Sequence, residues 1–234
     1  MKIALMQPYF LPYIGYFQLI NAVDKFIFCN DLGFIKQGWI NRNNILLESK
    51  KHRFCLPIKH ISSFTSIKET IVSEQPNDWQ NKLSKKIWLA YHKAPFFDAV
   101  YPWIDEILKG APNHSISDVA INSIEHTFKY LNLEKNLSQS IGLYDNKELK
   151  LAKRVIDICR QEGADTYINA IGGQNLFCKD DFKKHNIDLC FIKPILKTYE
   201  QNSPEFVAGL SILDVLMYNT PNDVKIMLSE YNLI

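Results

Sequence analysis

Lys2-Ile3-Ala4-Leu5-Met6-Gln7-Pro8-Tyr9-Phe10-Leu11-Pro12-Tyr13-Ile14-Gly15-Tyr16-Phe17-Gln18-Leu19-Ile20-Asn21-Ala22 runs on to Lys25-Phe26-Ile27-Phe28-Cys29-Asn30-Asp31. Lys2 to Met6 is a short apolar run suited to a buried strand. Pro8 and Pro12 each push the preceding residue toward extended geometry, so no helix passes through this loop. A helix is expected from Ile14 to Val23, and Lys25 to Cys29 reads as a second strand. Strand, Pro-rich loop, helix and strand make the opening βαβ unit of a parallel α/β sheet.

Outward from there the pattern changes. Arg53 to Ile58 reads as a strand, with Ile67 to Val72 as another. From Asp78 the apolar residues Trp79, Leu83, Ile87 and Ala90 mark one helical face. Pro95 should end that helix. A second, broken at Pro102, covers Phe96 to Leu108, and a third, capped by Ser117 or Asp118, runs to Leu131. Alternation then returns: a helix capped by Asn146 and closed at Gly163, a strand from Asp165 to Ala170, a turn at Gly172-Gly173, a short helix from Lys179 to His185 and a strand from Leu189 to Ile192. Ser203-Pro204-Glu205 has the form of another helix start, and Thr220-Pro221 precedes a last helix. The expectation is a single α/β domain over 1–234. It has a mostly parallel, Rossmann-like sheet and a mainly helical insertion around 76–135.

Composition narrows the function classes. The 234 residues carry 27 Lys and Arg against 25 Asp and Glu, a net +2. So weak a field does not mark a dedicated nucleic-acid binder. Only 4 of the basic residues are Arg, beside 23 Lys, 28 Ile and 19 Asn, a bias that makes each Arg worth reading singly. No apolar run approaches the ~18 residues that span a bilayer. The five Cys lie far apart without a C-x-x-C pair, so reduced thiols, a cytoplasmic location and no metal are expected. P-loop, G-x-S-x-G, H-E-x-x-H and G-x-G-x-x-G motifs are absent.

Four clusters could carry chemistry. In a parallel sheet, loops after strand C-termini line the ligand site. The first such loop offers Gln7, Tyr9, Tyr13, Gly15 and Tyr16 at a helix start, where free N–H groups favour an anion and the rings suit a sugar or base. After the second strand come Asp31, Lys36, Trp39, Asn41 and Arg42. Here the guanidinium provides bidentate phosphate contacts that an ammonium cannot. Tyr91 and His92 end the helix that starts at Asp78, and His92 is a candidate general base by residue type. Asn169, Gln174 and Asn175 surround the Gly-Gly turn, and Gln201 follows the next strand. Each cluster also has a plainer reading as packing, turn or solvated surface.

Tyr13-Ile14-Gly15-Tyr16 aligns with the H-x-G-H motif of nucleotidylyltransferases. The glycine is kept and both histidines are tyrosine, so only the topology is expected to carry over. Met6 to Ile20 closely resembles the opening of WbqC-like proteins. The likeness continues through Asp31, Phe34, Lys36, Trp39, Asn41-Arg42-Asn43, Tyr91, Ala94-Pro95-Phe96-Phe97, Gly163 to Ile168 and Ser211 to Asp214. One departure is Leu196-Lys197-Thr198-Tyr199-Glu200-Gln201, where the family often has a His-Pro step. The resemblance implies a bacterial O-antigen or lipopolysaccharide role: a transferase moving an acyl or aminoacyl (glycyl) group onto the amine of a nucleotide-linked sugar. It further implies an activated acyl donor, an aminoacyl-tRNA being one form. In that reading Asp31 or His92 takes the amine proton. The alternative is a non-catalytic sugar-nucleotide-binding protein.

Overall fold

The computed structural model describes all 234 residues. In chain order the elements are β1 (Lys2–Met6), α1 (Ile14–Asn21), β2 (Lys25–Phe28), β3 (Arg42–Leu47), β4 (Lys50–Cys55), α2 (Trp79–Tyr91), α3 (Phe97–Gly110), α4 (Ile116–Tyr130) and β5 (Leu137–Gln139). There follow α5 (Leu151–Gln161), β6 (Thr166–Ala170), α6 (Lys179–Lys183), β7 (Asp188–Pro194), α7 (Ile212–Tyr218), α8 (Pro221–Leu228) and β8 (Tyr231–Leu233). Six strands form one sheet in the order β5-β2-β1-β6-β7-β8, and β3 and β4 form a separate hairpin. All pairings in the large sheet are parallel except β7 with β8. Numbered among themselves, its strands run 3-2-1-4-5-6, an order typical of doubly wound nucleotide-binding sheets.

Alternation along the strands splits the core. Ile3, Leu5, Ile27, Tyr167, Leu189 and Phe191 point to the face covered by α5 and α6. Ala4, Phe26, Phe28, Ile168 and Ile192 point to the other face, where α1 to α4, α7 and α8 pack. A strand buried on both faces has no polar side to show, and so Ile3-Ala4-Leu5 is uniformly apolar. Gln18 of α1, fully buried, donates to the carbonyls of Ile195, Met227 and Glu230, tying the helix to the C-terminal edge of the fold.

The switch point lies between β1 and β6, whose following helices sit on opposite faces. Their register covers only Lys2↔Thr166 and Ile3↔Tyr167. The C-terminal halves of these strands are not bridged to each other, and the loops after β1 and β6 leave from that gap.

Several local expectations need correction. Arg53 to Ile58 is displaced: β4 spans Lys50–Cys55. Ile67 to Val72 forms isolated bridges only, at Ile71 and Val72. Helix α2 ends at Tyr91, before Pro95. Helix α3 runs through Pro102, which faces solvent, so the carbonyl its ring leaves unbonded can be hydrated. Ser115, not Ser117 or Asp118, caps α4, and Asn146 lies four residues before the cap of α5 at Lys150. No helix follows Ser203-Pro204. The Gln201 amide accepts from the Val207 N–H at 2.8 Å and donates to its carbonyl at 3.3 Å, taking backbone groups a helix would need.

Candidate functional site

The Pro-rich loop after β1 is clamped from outside. Phe10 N–H donates to the Ile40 carbonyl at 2.9 Å and Leu11 N–H to Ser123 Oγ at 3.1 Å. The Leu11 carbonyl accepts from Asn43 Nδ2 at 2.7 Å and from Ser211 Oγ at 2.8 Å. Ile212 N–H donates to the Pro12 carbonyl at 2.8 Å. These bonds hold Leu11 at φ +46°, a backbone state that leucine seldom adopts. The hairpin, α4 and α7 thus fix the loop before any ligand arrives.

Against this loop lies a cavity of about 280 Å³ lined by Tyr9, Pro12, Tyr13, Trp39, Asn43 and Gly209. Its walls are aromatic and uncharged. Tyr9 and Tyr13 are half-buried, and neither phenol has a protein hydrogen-bond partner. Burial raises both pKa values, and for Tyr9 the neighbouring Tyr13 adds to the rise. Both therefore stay protonated at neutral pH and can donate. The Tyr13 ring folds back over Gly15 so closely that a Cβ there would strike the ring unless it moved. Trp39 is 46% exposed and carries the Arg53 guanidinium 5.9 Å from its ring centre.

Behind the cavity wall sits a buried carboxylate. Asp214, in the first turn of α7, accepts from Tyr91 Oη at 3.0 Å, Tyr199 Oη at 2.8 Å and Gln201 Nε2 at 2.6 Å. Tyr91 Oη also accepts from Leu46 N–H of β3 at 3.2 Å. No cation joins the group. Burial raises the Asp214 pKa, and the three donated bonds oppose the rise. The network pins the strap from Tyr199 to Gly209, whose last residue walls the cavity.

The singled-out residues fall into distinct places. Tyr9, Tyr13 and Trp39 meet at the cavity, with Gly15 beneath Tyr13. Tyr16 is buried and donates to the Gln7 carbonyl at 2.8 Å, so both shape the loop from within. Asn41 donates to Leu56 O at 2.7 Å, and Arg42 Nε to Gly38 O at 2.6 Å. Lys36 is exposed on the loop before Trp39. Tyr91 and Gln201 belong to the Asp214 network. Asn169 is buried within β6 and packed so tightly on Gly173 that a Cβ there would overlap its amide, while Gln174 and Asn175, beyond the strand, are exposed.

Two candidates lie apart from the cavity. Asp31 is engaged by Arg154 in a buried ion pair and by Ser140 Oγ at 2.5 Å, with its side chain 1% exposed. A carboxylate so held is a structural anchor, not a base open to substrate. His92 is exposed at the end of α2, its ring stacked 4.2 Å from Trp88, and it does not line the cavity. Asn43, Asp214, Tyr199 and Gly209 were not among the predicted site residues. Ser211-Ile212-Leu213-Asp214 resembles a helix capping box, which hides the use of its Asp as a buried acceptor. No group of three or more His, Cys, Asp or Glu side chains is placed to hold a metal ion. No helix is long and apolar enough to cross a membrane.

The chain is 26% identical over 219 residues to an uncharacterized protein of Mycobacterium tuberculosis, Rv1507c, with 92% of each sequence covered. No solved structure is significantly similar. Residues 7–226, which include the clamped loop, the hairpin and α7, match the WbqC-like protein family, and the chain belongs to that family.

Proposed function

We propose that the cavity binds a nucleotide-linked amino sugar and that the protein transfers an acyl or aminoacyl (glycyl) group to the sugar amine, in bacterial O-antigen or lipopolysaccharide synthesis. The observation that carries this reading is the aromatic cavity itself. Tyr9, Tyr13 and Trp39 present flat faces for a base or sugar ring, and two protonated phenols without internal partners supply polar contacts. In the transfer, the amine lone pair attacks the activated carbonyl. Negative charge gathers on the carbonyl oxygen, where Tyr9 or Tyr13 would donate a hydrogen bond. The amine must first lose its proton. No carboxylate or imidazole lines the cavity, so water takes that proton in this scheme. The tetrahedral intermediate then collapses and the bond between the acyl carbon and the donor breaks. The coenzyme A thiol or the tRNA terminal hydroxyl leaves with the proton that the attacking nitrogen gives up. Reduced thiols and a nucleotide-sugar substrate fit a cytoplasmic site.

An aminoacyl-tRNA donor would find its cationic contacts on the hairpin and α2. From Lys36 to Lys93 there are eleven Lys and Arg against four Asp and Glu, a net +7 in a chain of +2 overall. The test is turnover: protein incubated with amino sugar nucleotides and acyl-coenzyme A or glycyl-tRNA should yield a sugar nucleotide heavier by one acyl or glycyl group. Unchanged masses with every donor would sink the transferase reading.

The lack of a titratable base in the cavity wall favours a second reading. In it the protein binds a sugar nucleotide without turnover, as a nucleotidylyltransferase-like fold with tyrosines in place of both motif histidines. Saturable binding with no product would select it.

A further inference from the structure

We propose that Arg42 and Arg53 form a diphosphate subsite at the mouth of the aromatic cavity, so that its ligands are diphosphate esters rather than free nucleosides or monophosphates. This rests on the nucleotide-sugar reading above and specifies which part of the ligand is held where.

The hairpin register pairs Arg42 with Cys55 and Asn44 with Arg53. Side chains two apart on a strand share a face, so Arg42 and Arg53 are diagonal neighbours, with Cβ atoms roughly 7 Å apart. Independent support comes from Cys55: its thiol pKa is raised by burial, and the charges of Arg42 and Arg53 both pull it down. Both guanidiniums thus lie near enough to the Cys55 thiol for their charges to reach it. Neither forms an ion pair, although eight others exist in the molecule. Arg42 spends only its Nε, on the Gly38 carbonyl, and the Arg53 side chain makes no hydrogen bond. Arg53 lies over Trp39, which walls the cavity. A ring stacked against Trp39 would have its attached phosphates within reach of the Arg53 fork, with Arg42 as the diagonal neighbour on the same hairpin face.

Like charges this close are unfavourable unless something neutralises them. A monophosphate fills one fork, whereas a diphosphate offers oxygens to both. Two of only four Arg in a Lys-biased chain sit here, and planar bidentate recognition is what Arg offers over Lys. The surrounding +7 segment adds attraction for the anion without supplying geometry.

Calorimetric titration with uridine, UDP and inorganic pyrophosphate, on native protein and on Arg53→Gln and Arg53→Lys, tests this. Native protein should bind UDP at least about tenfold more tightly than uridine, with pyrophosphate competing. Arg53→Gln should weaken UDP about tenfold to a hundredfold, the range for a charged hydrogen bond, and leave uridine unchanged. Arg53→Lys should restore only part. Arg53 is exposed, so thermal unfolding of both variants should match native protein. Equal native affinities for uridine and UDP would overturn the subsite while leaving the cavity reading intact. An equal loss of uridine and UDP in Arg53→Gln would also overturn it, because Arg53 would then merely prop Trp39. Pyrophosphate binding that Arg53→Gln abolishes, with no nucleoside or nucleotide-sugar binding, would keep the subsite and remove the nucleotide-sugar reading.

Discussion

Two regions at the C-terminal edge of the parallel sheet use polar groups in opposite ways. Directly after β2, the buried carboxylate is answered from within: Asp31 meets Arg154 and Ser140, Arg154 also donates to Asn146, and Asn146 donates to Asp157. After β1, the backbone is just as tightly bonded, and Asn43 of the cavity wall takes part, but other polar side chains at or beside the cavity are not bonded. The phenols of Tyr9 and Tyr13 and the fork of Arg53 find no protein partner. A buried charge tolerates no vacancy, so the first region is structure. Groups held rigid yet unsatisfied are ready for a ligand, so the second is the candidate site.

The sharpest way to break this contrast is to open the closed region. Arg154→Ala leaves Asp31 buried and unpaired and should cost about 3–5 kcal/mol of unfolding free energy. Urea denaturation checks this. The apolar pair Asp31→Leu with Arg154→Met should recover most of the loss. A smaller effect is expected behind the cavity. Asp214→Ala orphans the donors of Tyr91 and Tyr199 and should cost about 2–3 kcal/mol.

Asp214 also predicts a pH dependence. Its native pKa lies above the unfolded value of about 3.9, so the native state holds that proton longer. Its contribution to stability is greatest below the unfolded pKa and falls as pH rises through the native one. Asp214→Asn should remove that fall, seen by comparing unfolding free energies of variant and native protein from pH 3.5 upward.

Tyr13→Phe removes one free phenol from the open region. It should lower sugar-nucleotide affinity or turnover about three- to tenfold, the scale of a neutral hydrogen bond, at unchanged thermal stability. His92→Ala should alter neither binding nor turnover, because the ring lies outside the cavity. A large loss of turnover there would return His92 to the chemistry.

The closed and open regions were unequally legible in the sequence. The βαβ opening was plain because Pro8 and Pro12 forbid a helix and the strands are uniformly apolar. Tyr9 and Tyr13 could be singled out because they sit in a strand-to-helix loop, and Trp39 because it stands beside the polar Asn41-Arg42 cluster after the second strand. Asp31 misled, since a carboxylate after a strand looks alike whether free or paired, and its partner Arg154 lies 123 residues away. Asp214 was hidden by the capping pattern around it. Ser203-Pro204-Glu205 carried a good helix-start signal, overridden by the Gln201 side chain binding Val207. Such cases turn on side-chain contacts that local patterning does not encode.

The most direct test of the central claim is calorimetric titration of native protein and Trp39→Ala with UDP- and dTDP-linked 2-amino sugars. Native protein should bind at least one of them saturably at one site. Trp39→Ala should bind it about tenfold to a hundredfold more weakly, the usual range for losing a stacked ring, with unfolding unchanged because Trp39 is half-exposed. Binding by the variant as tight as by native protein, or no binding by native protein to any such sugar, would contradict the account.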